Sequence, residues 1–354
     1  MTRPIELILD DARWAPSGDN TQPWRLRIVS DSEVDILGHD TRADCVYDLD
    51  GDASRIAHGC LLETLRIAAS AHGFGIEWSC LPEGDSPTPV YSVRLTPQPD
   101  MVTDPRQPFI RTRAVQRRPM RTQALTTEHI TALTAAASPY RVVWMSGFSQ
   151  RLSIARLNYR SARIRLTIPE AFEVHRRVIE WGARFSEDRI PEEAVGVDAL
   201  TGRLMGWLMQ KWSRVEFFNT YLAGTVAPRL QLDLLPGVAC GAHALLVAPA
   251  QPESPLDFVD AGMAVQRFWL EAERCGLRLQ PELTPLIFSR YARKGRSFTR
   301  MAEPTAWAHR VSDDLDTLFG STDARSAVFM CRLGYGPTAR ARSLRLPLDK
   351  LLAR

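Results

Sequence analysis

Two stretches of this chain, 203 positions apart, read as copies of one another. His58-Gly59-Cys60-Leu61-Leu62-Glu63-Thr64-Leu65-Arg66-Ile67-Ala68-Ala69 aligns without a gap with Ala261-Gly262-Met263-Ala264-Val265-Gln266-Arg267-Phe268-Trp269-Leu270-Glu271-Ala272. The alignment continues through Gly73-Phe74-Gly75-Ile76 against Gly276-Leu277-Arg278-Leu279. Each copy carries apolar residues at helical spacing: Leu62, Leu65 and Ala69 in one, Val265, Phe268 and Ala272 in the other. Each stops at a glycine placed like a helix C′ residue. Asp52 precedes the first helix, and Asp257 and Asp260 the second, where carboxylates suit a helix N-terminus. Two amphipathic helices can match by chance; an ungapped match through the glycine favours common origin. A duplicated chain folds as two related halves, a tighter constraint than length, which on its own suggests two domains for 354 residues. Later strands support the pairing, Tyr91-Ser92-Val93-Arg94-Leu95 with Val328-Phe329-Met330-Cys331-Arg332-Leu333. So do early helices over Glu6 to Ala15 and Glu128 to Ala137.

The copies differ at one place. After the first early helix comes Ala15-Pro16-Ser17-Gly18-Asp19-Asn20-Thr21-Gln22-Pro23-Trp24, leading into the strand Arg25-Leu26-Arg27-Ile28-Val29. Pro16 stops the helix, because the residue before proline is pushed out of helical space. Ser17 to Asn20 are small turn formers that leave backbone N–H groups free for a ligand. The second copy runs directly from Ser138-Pro139 into Tyr140-Arg141-Val142-Val143-Trp144 and lacks this turn. As structure alone the stretch is a helix–turn–strand corner.

This ten-residue stretch resembles the A-P-S-x-x-N-x-Q-P-W signature of the nitroreductase/flavin reductase superfamily. The resemblance implies an α+β nitroreductase-like fold. Family members are homodimers with two FMN sites built across the subunit interface. A duplicated chain would mimic that dimer within itself, as in the Acg-like and MoeY-like branch. With one signature lost, one flavin site should remain. The expected halves are 1–104 and 105–354, the second carrying an insertion over about 160–235. Residues 98–110, with Pro99, Pro105 and Pro108, read as the connector.

FMN needs cations at its phosphate, small residues against its ring and donors at the ring edge. Pro16, Ser17, Gly18 and Asn20 would lie over the ring. Arg113-Ala114-Val115-Gln116-Arg117 resembles the family's R-x-S-x-R element, so Arg113 and Arg117 would meet the phosphate and pyrimidine edge. Val115 stands where Ser or Thr is usual, and that hydroxyl contact is lost. In the C-terminal run, Arg340, Arg342 and Arg345 match the basic positions that hold the phosphate. Gln280-Pro281-Glu282-Leu283-Thr284 resembles the loop that offers flavin N5 a backbone N–H. Each segment has a plainer reading: a solvated arginine stretch, an exposed basic tail, an ordinary helix–strand connection. The plainer readings carry weight here, because 41 of the 44 basic residues are arginine.

The insertion shows one helical face in Ala171, Val174, Val178, Trp181 and Phe185. An aromatic and methionine-rich stretch follows, with Met205, Trp207, Met209, Trp212, Phe217, Phe218 and Tyr221. Residues 200–225 read either as a lid over the flavin or as a helical layer adding to the core. His58, His72, His175 and His243 lack metal-ligand spacing and read as structural. The cluster Arg290, Arg293, Lys294, Arg296 and Arg300 reads as a solvated loop or as a grip for an NADPH phosphate.

A net charge of +3 is too small to point to nucleic acid. The six cysteines form no C-x-x-C pair and read as free thiols in a reducing compartment. With no apolar signal core and no run of membrane-span length, the expectation is a cytoplasmic protein with no membrane partner, monomeric because its dimer is internal. No nucleophile–base pair stands out, so no catalytic side chain is expected and the flavin would carry the chemistry. The resemblance implies an FMN-dependent oxidoreductase passing hydride from NAD(P)H to a nitro, quinone or conjugated acceptor. Two alternatives stay open: a protein that sequesters flavin with little turnover, and an oxidase using oxygen.

Overall fold

The computed structural model describes residues 3–82 and 84–353. In chain order the first half gives α1 (Pro4–Ala12), β1 (Trp24–Ile28), β2 (Glu33–Gly38), α2 (Asp52–Ser70), β3 (Phe74–Leu81) and β4 (Val90–Pro97). Next come α3 (Thr127–Ala136) and β5 (Arg141–Met145). Segment 146–241 supplies α4 (Phe148–Thr167), α5 (Pro169–Val178), α6 (Ala199–Leu208) and α7 (Trp212–Tyr221). The chain then resumes with β6 (Ala242–Val247), α8 (Pro255–Arg274), β7 (Arg278–Pro281), α9 (Thr284–Lys294), α10 (Ala302–Phe319) and β8 (Ala327–Gly334). The first helix ends at Ala12, earlier than the proline at 16 requires, and residues 13–15 leave it as a turn.

The principal sheets are two, each antiparallel and four-stranded. Their orders are β1-β2-β4-β3 and β5-β6-β8-β7. Read along the chain, both run first, second, fourth, third. A four-residue turn joins β1 to β2, whereas segment 146–241 separates β5 from β6. A second extra segment, α9 and α10, separates β7 from β8 where β3 and β4 are joined by a short loop.

Between the sheets α2 packs on α8. The contact needs glycine on both sides. A Cβ on Gly59 would stand 1.8 Å from the Val259 carbonyl oxygen, and one on Gly262 would stand 2.0 Å from the Ile56 carbonyl oxygen. Gly59 and Gly262, like Ile56 and Val259, are 203 positions apart, so the crossing has the local form of a two-fold contact. Cys60 Sγ donates to the Gly262 carbonyl across it at 3.2 Å. Helix starts follow capping chemistry: Ser254 and Asp257 form a capping box on α8, and buried Asp48 accepts from the N–H groups of Ala53 and Ser54 at the start of α2.

The two sheets are buried differently. Along β2 the residues alternate between buried and half-buried, as in a sheet covered mainly on one face. Every residue of β6 and β8 is buried. Ala244, Leu246, Phe329 and Leu333 join the core around α2 and α8. Leu245, Val247 and Met330 join a second core made with Ile154, Leu157, Ile164 and Val174 of segment 146–241. That segment, with α9 and α10 (Leu286, Phe288, Val311 and Leu315), therefore covers the outer face of the second sheet.

Two extended strips complete the framework. Val115 bridges Leu279 of β7, and Gln116 N–H donates to the Leu279 carbonyl at 3.0 Å, laying residues 113–117 along that sheet edge. After β8 the tail pairs Arg342 and Ser343 with Phe185 and Ser186, then reaches β1, where Leu352 bridges Leu26. The tail thus ties the second half and the 146–241 segment to the first half. Among the described residues no helix is long and apolar enough to cross a membrane.

Candidate functional site

A cavity of about 400 Å³ opens where the signature turn, α2, α8, the 113–117 strip, the start of α9, segment 146–241 and the tail converge. Of the residues singled out from sequence, Pro16, Ser17, Gly18, Asn20, Arg113, Arg117, Gln280, Pro281, Glu282, Leu283, Arg342 and Arg345 all line it. Arg340 does not. It is exposed, and its carbonyl accepts from Arg184 Nε at 3.0 Å.

The signature turn is held in a costly shape. Asp19, Asn20 and Gln22 have φ of 51°, 63° and 48°, a left-handed region that non-glycine residues seldom occupy. Side chains hold it there. Buried Gln22 donates from Nε2 to the Glu187 carbonyl at 2.8 Å and accepts at Oε1 from Leu346 N–H at 3.0 Å. Asn20 Nδ2 donates to the carbonyls of Glu187 and Arg189. The turn is thereby fastened both to segment 146–241 and to the tail. Asn20 Oδ1 is left buried without a partner. Strain of this kind persists only where surrounding contacts over-determine it.

One end of the cavity is an arginine cluster without an ion-paired carboxylate among the described residues; the acid nearest in effect, Glu273, is bonded to Arg278 at 2.7 Å. Arg113 donates from Nη2 to the Trp14 carbonyl at 3.0 Å, its guanidinium lies 4.5 Å from the Trp269 ring centroid, and its buried Nε has no partner. Arg345 donates from Nε to the Ala15 carbonyl at 2.9 Å, and Arg342 from Nη2 to the Arg111 carbonyl at 2.7 Å. All three spend their bonds on neutral carbonyls, and none is ion-paired among the described residues. Burial, with the repulsion of Arg342, pushes the Arg113 pKa down to about 10. Burial and the neighbouring Arg113 and Arg342 hold Arg345 well below the usual guanidinium range. Buried charge without a partner is unfavourable, so this end is built to receive an anion.

The floor is a buried charged triad. His243 Nδ1 stands 2.7 Å from Glu282 Oε2 and its Nε2 stands 2.7 Å from the Gly237 carbonyl oxygen. Both ring nitrogens face acceptors, so the ring is the imidazolium. Glu282 Oε1 accepts from Arg332 Nη1 at 3.0 Å. Burial opposes the charge on His243, but the adjacent carboxylate outweighs it and raises the pKa. In the 280–284 corner, Glu282 N–H is taken by the Met330 carbonyl at 2.7 Å. The free backbone donors are those of the first turn of α9, which helix geometry leaves without partners. Leu283 and Thr284 both line the cavity.

The opposite end was not foreseen. It is walled by α4, α5 and neighbouring parts of segment 146–241. His175, expected to be a plain structural residue, lines the cavity with Nε2 2.9 Å from the Tyr47 hydroxyl. Burial, helped by Arg165, lowers its pKa to about 3 and keeps it neutral. Arg165 pairs with Asp233 at 3.0 Å. Asp19 lines the cavity half-buried; burial raises its pKa against the opposing pull of Arg117, Arg177 and Arg165. These residues come from distant parts of the chain, and nothing in local spacing joins them.

Other expectations are corrected. Nothing from 200–225 lines the cavity. Trp207 is 46% exposed and Tyr221 72% exposed; Trp207 meets Phe218 edge to face and Tyr221 meets Phe217 at a tilt. Those exposed aromatics do not line this cavity, and only part of the stretch adds to the core: Met205 packs against the second core and Trp212 meets buried Phe172 edge to face. The basic cluster at the end of α9 is neither a solvated loop nor a phosphate grip: Arg290 meets Asp52 at 3.0 Å, Lys294 meets Asp50 at 3.0 Å and Arg293 meets Asp316 at 2.7 Å. His58 and His72 lie outside the cavity lining, and no group of metal-type ligands occurs among the described residues.

No family model and no curated protein matches the chain. Among solved structures, it is similar to a nitroreductase with bound FMN from Bacteroides fragilis, at 10% identity over 66% of this chain and 90% of that one, with a TM-score of 0.35. It is also similar to the FMN-dependent nitroreductase NfnB from Mycobacterium smegmatis in complex with NADPH, at 16% identity over 70% and 96%, with a TM-score of 0.35. Likeness at this level does not carry function, which has to come from the cavity.

Proposed function

We propose that the cavity holds FMN and that the protein is an FMN-dependent oxidoreductase. The observation that carries this is the arginine cluster: three guanidinium groups, of Arg113, Arg342 and Arg345, without carboxylate partners at one end of a cavity otherwise lined largely by apolar groups. A phosphate dianion supplies the missing charge, and guanidinium forks match its oxygens. Ile56, Ala57, Val265 and Leu283 offer flat apolar contact for a ring system, and Gln280 Oε1 is a buried acceptor without a partner. The first turn of α9 offers backbone donors to the ring edge. When bound, FMN supplies hydride transfer between NAD(P)H and an electron-poor acceptor, here of the nitro, quinone or conjugated class. The chain's own work is to neutralise the phosphate, to flank the ring with the strained turn, and to keep water from the reacting face with segment 146–241.

The same strand order in both sheets and the Gly59–Gly262 crossing support an internal duplication, with halves at 1–104 and 105–354 and one site per chain. Closure of the cavity by segment 146–241 favours a second reading, flavin sequestration with little turnover. Extraction and quantitation of flavin from purified protein tests the first claim, and anaerobic mixing with NADPH separates the readings. The expected results are about one FMN per chain and rapid bleaching. Yellow protein reduced by dithionite but not by NADPH supports sequestration. Protein that neither carries nor takes up FMN overturns both.

A further inference from the structure

At the arginine end of the cavity no guanidinium is ion-paired among the described residues, whereas the end walled by segment 146–241 holds a paired arginine. There Arg165 is matched by Asp233, His175 stands beside Tyr47, and Arg117, whose Nη1 donates to the Ala194 carbonyl at 2.9 Å, shares the cavity lining with Asp19, whose carboxyl has no salt-bridge partner among the described residues. Val178, Ile179, Ile190, Val195 and Leu232 supply an apolar wall. Into this setting α4 brings Asn158. It is 4% exposed, it lines the cavity, and its Nδ2 has no partner. Ser161, one turn further along the same face, is occupied, donating to the Asn158 carbonyl at 3.0 Å. A buried amide donor without a partner is rare in folded proteins unless something else receives its hydrogen.

We infer that the 146–241 end of the cavity is a second ligand subsite, selective for an uncharged, mostly apolar molecule with one carbonyl-type oxygen, which Asn158 Nδ2 receives. Asp19 sets the charge selectivity: by balancing Arg117 it removes the local attraction that an anionic ligand would otherwise find. The subsite refines the flavin reading, and rests on it only in assigning the arginine end to a phosphate. Asn158 acts here by contact with the ligand and has no part in holding the phosphate.

The experiment is calorimetric titration of the full chain with coumarin and with coumarin-3-carboxylate, which share a ring system and differ in charge. The arginine end is filled beforehand with FMN or, in flavin-free protein, with saturating inorganic phosphate. Coumarin should bind at least about tenfold more tightly than its carboxylate. Asn158→Leu should weaken coumarin about tenfold, the worth of one neutral hydrogen bond, and change FMN affinity less than twofold. Asn158→Asp, closer in shape, serves where the leucine variant fails to fold. Asp19→Asn should tighten coumarin-3-carboxylate about tenfold by leaving Arg117 unbalanced. Equal binding of the two probes to the parent chain, or coumarin binding indifferent to Asn158 substitution, overturns the subsite. Loss of FMN binding in the parent with the coumarin preference intact overturns the flavin reading alone.

Discussion

The α2–α8 pair presents related surfaces at its two ends, and they have been put to opposite use. On α8, Trp269 carries the guanidinium of Arg113 at the cavity, where Arg113, Arg342 and Arg345 have no ion-paired carboxylate among the described residues and Glu273 is spent on Arg278. The position 203 residues earlier on α2 is Arg66. Its Nη2 lies 2.7 Å from Glu63 Oε1 and 2.9 Å from Asp104 Oδ2, while Arg106 reaches Asp104 at 2.8 Å and Arg267 reaches Glu63 at 3.4 Å. Both ends gather arginines. Only the second supplies their carboxylates. The difference teaches that basic residues alone do not mark an anion site in an arginine-rich chain; the lack of acids paired with them does.

The largest effect belongs to what the two ends share. Gly59→Ala places a methyl group against the Val259 carbonyl, and backbone cannot yield as a flexible side chain does. The expected loss is about 3 kcal/mol or more by denaturant unfolding. Gly262→Ala should cost a similar amount, because it meets the Ile56 carbonyl in the same way. A large asymmetry between the two would break the two-fold description of the crossing.

The next effect separates the ends. Arg345→Met should weaken FMN by about 10- to 100-fold, the worth of one charge-assisted bond to phosphate, and should raise the melting temperature of flavin-free protein by relieving buried repulsion. Arg66→Met should do the reverse: FMN affinity unchanged, and stability lowered by about 1–2 kcal/mol, because buried Asp104 and buried Glu63 lose a partner. If both variants simply destabilise, the arginine end is a structural cluster like the other.

Legibility in the sequence followed the same divide. The strip 113–117, the turn 16–20 and the corner 280–283 were readable because each is short, contiguous and chemically specific. The C-terminal arginines were readable as a group but not one by one. Arg342 is placed by its pairing opposite Phe185, and nothing in the tail announces that partner. The far end of the cavity was illegible for a physical reason. Asp19, Tyr47, Asn158, Arg165, His175 and Asp233 meet only after the insertion folds back over the second sheet. The aromatics of 200–225 misled because Met and aromatic side chains at helical spacing suit an exposed hairpin as well as a cover. The basic run at 290–296 misled because its carboxylates, Asp50 and Asp52, lie some 240 positions away. The last strand of the second half was legible through its match to Tyr91–Leu95, while α9 and α10, which come just before it, were not.

The smallest effect lies in pH, and it divides the two ends by sign. Burial raises the Asp104 pKa, but hydrogen bonds from Arg106 and Arg66 bring it down to about 2. A carboxyl depressed in the folded state contributes stability above its unfolded value of about 3.9, and that contribution is lost as pH falls toward 2. His243 works in the other direction. Burial lowers its pKa, yet Glu282 at 2.7 Å outweighs burial, so the folded value lies above the unfolded value of about 6.5. Its contribution is therefore complete below pH 6.5 and declines as pH rises. The groups facing it are Glu282, Cys240 and, through Glu282, Arg332. Between pH 7 and pH 8 the parent chain should lose about 1 kcal/mol of unfolding free energy, close to the limit for one proton. His243→Asn should be less stable at pH 6.5 and should flatten that alkaline decline, leaving the acid limb as it was. Asp104→Asn should flatten the acid limb and leave the alkaline one. An unchanged alkaline decline in His243→Asn would mean that the ring beneath Glu282 is neutral, and the cavity floor would then carry one positive charge fewer than the two acceptors around His243 require.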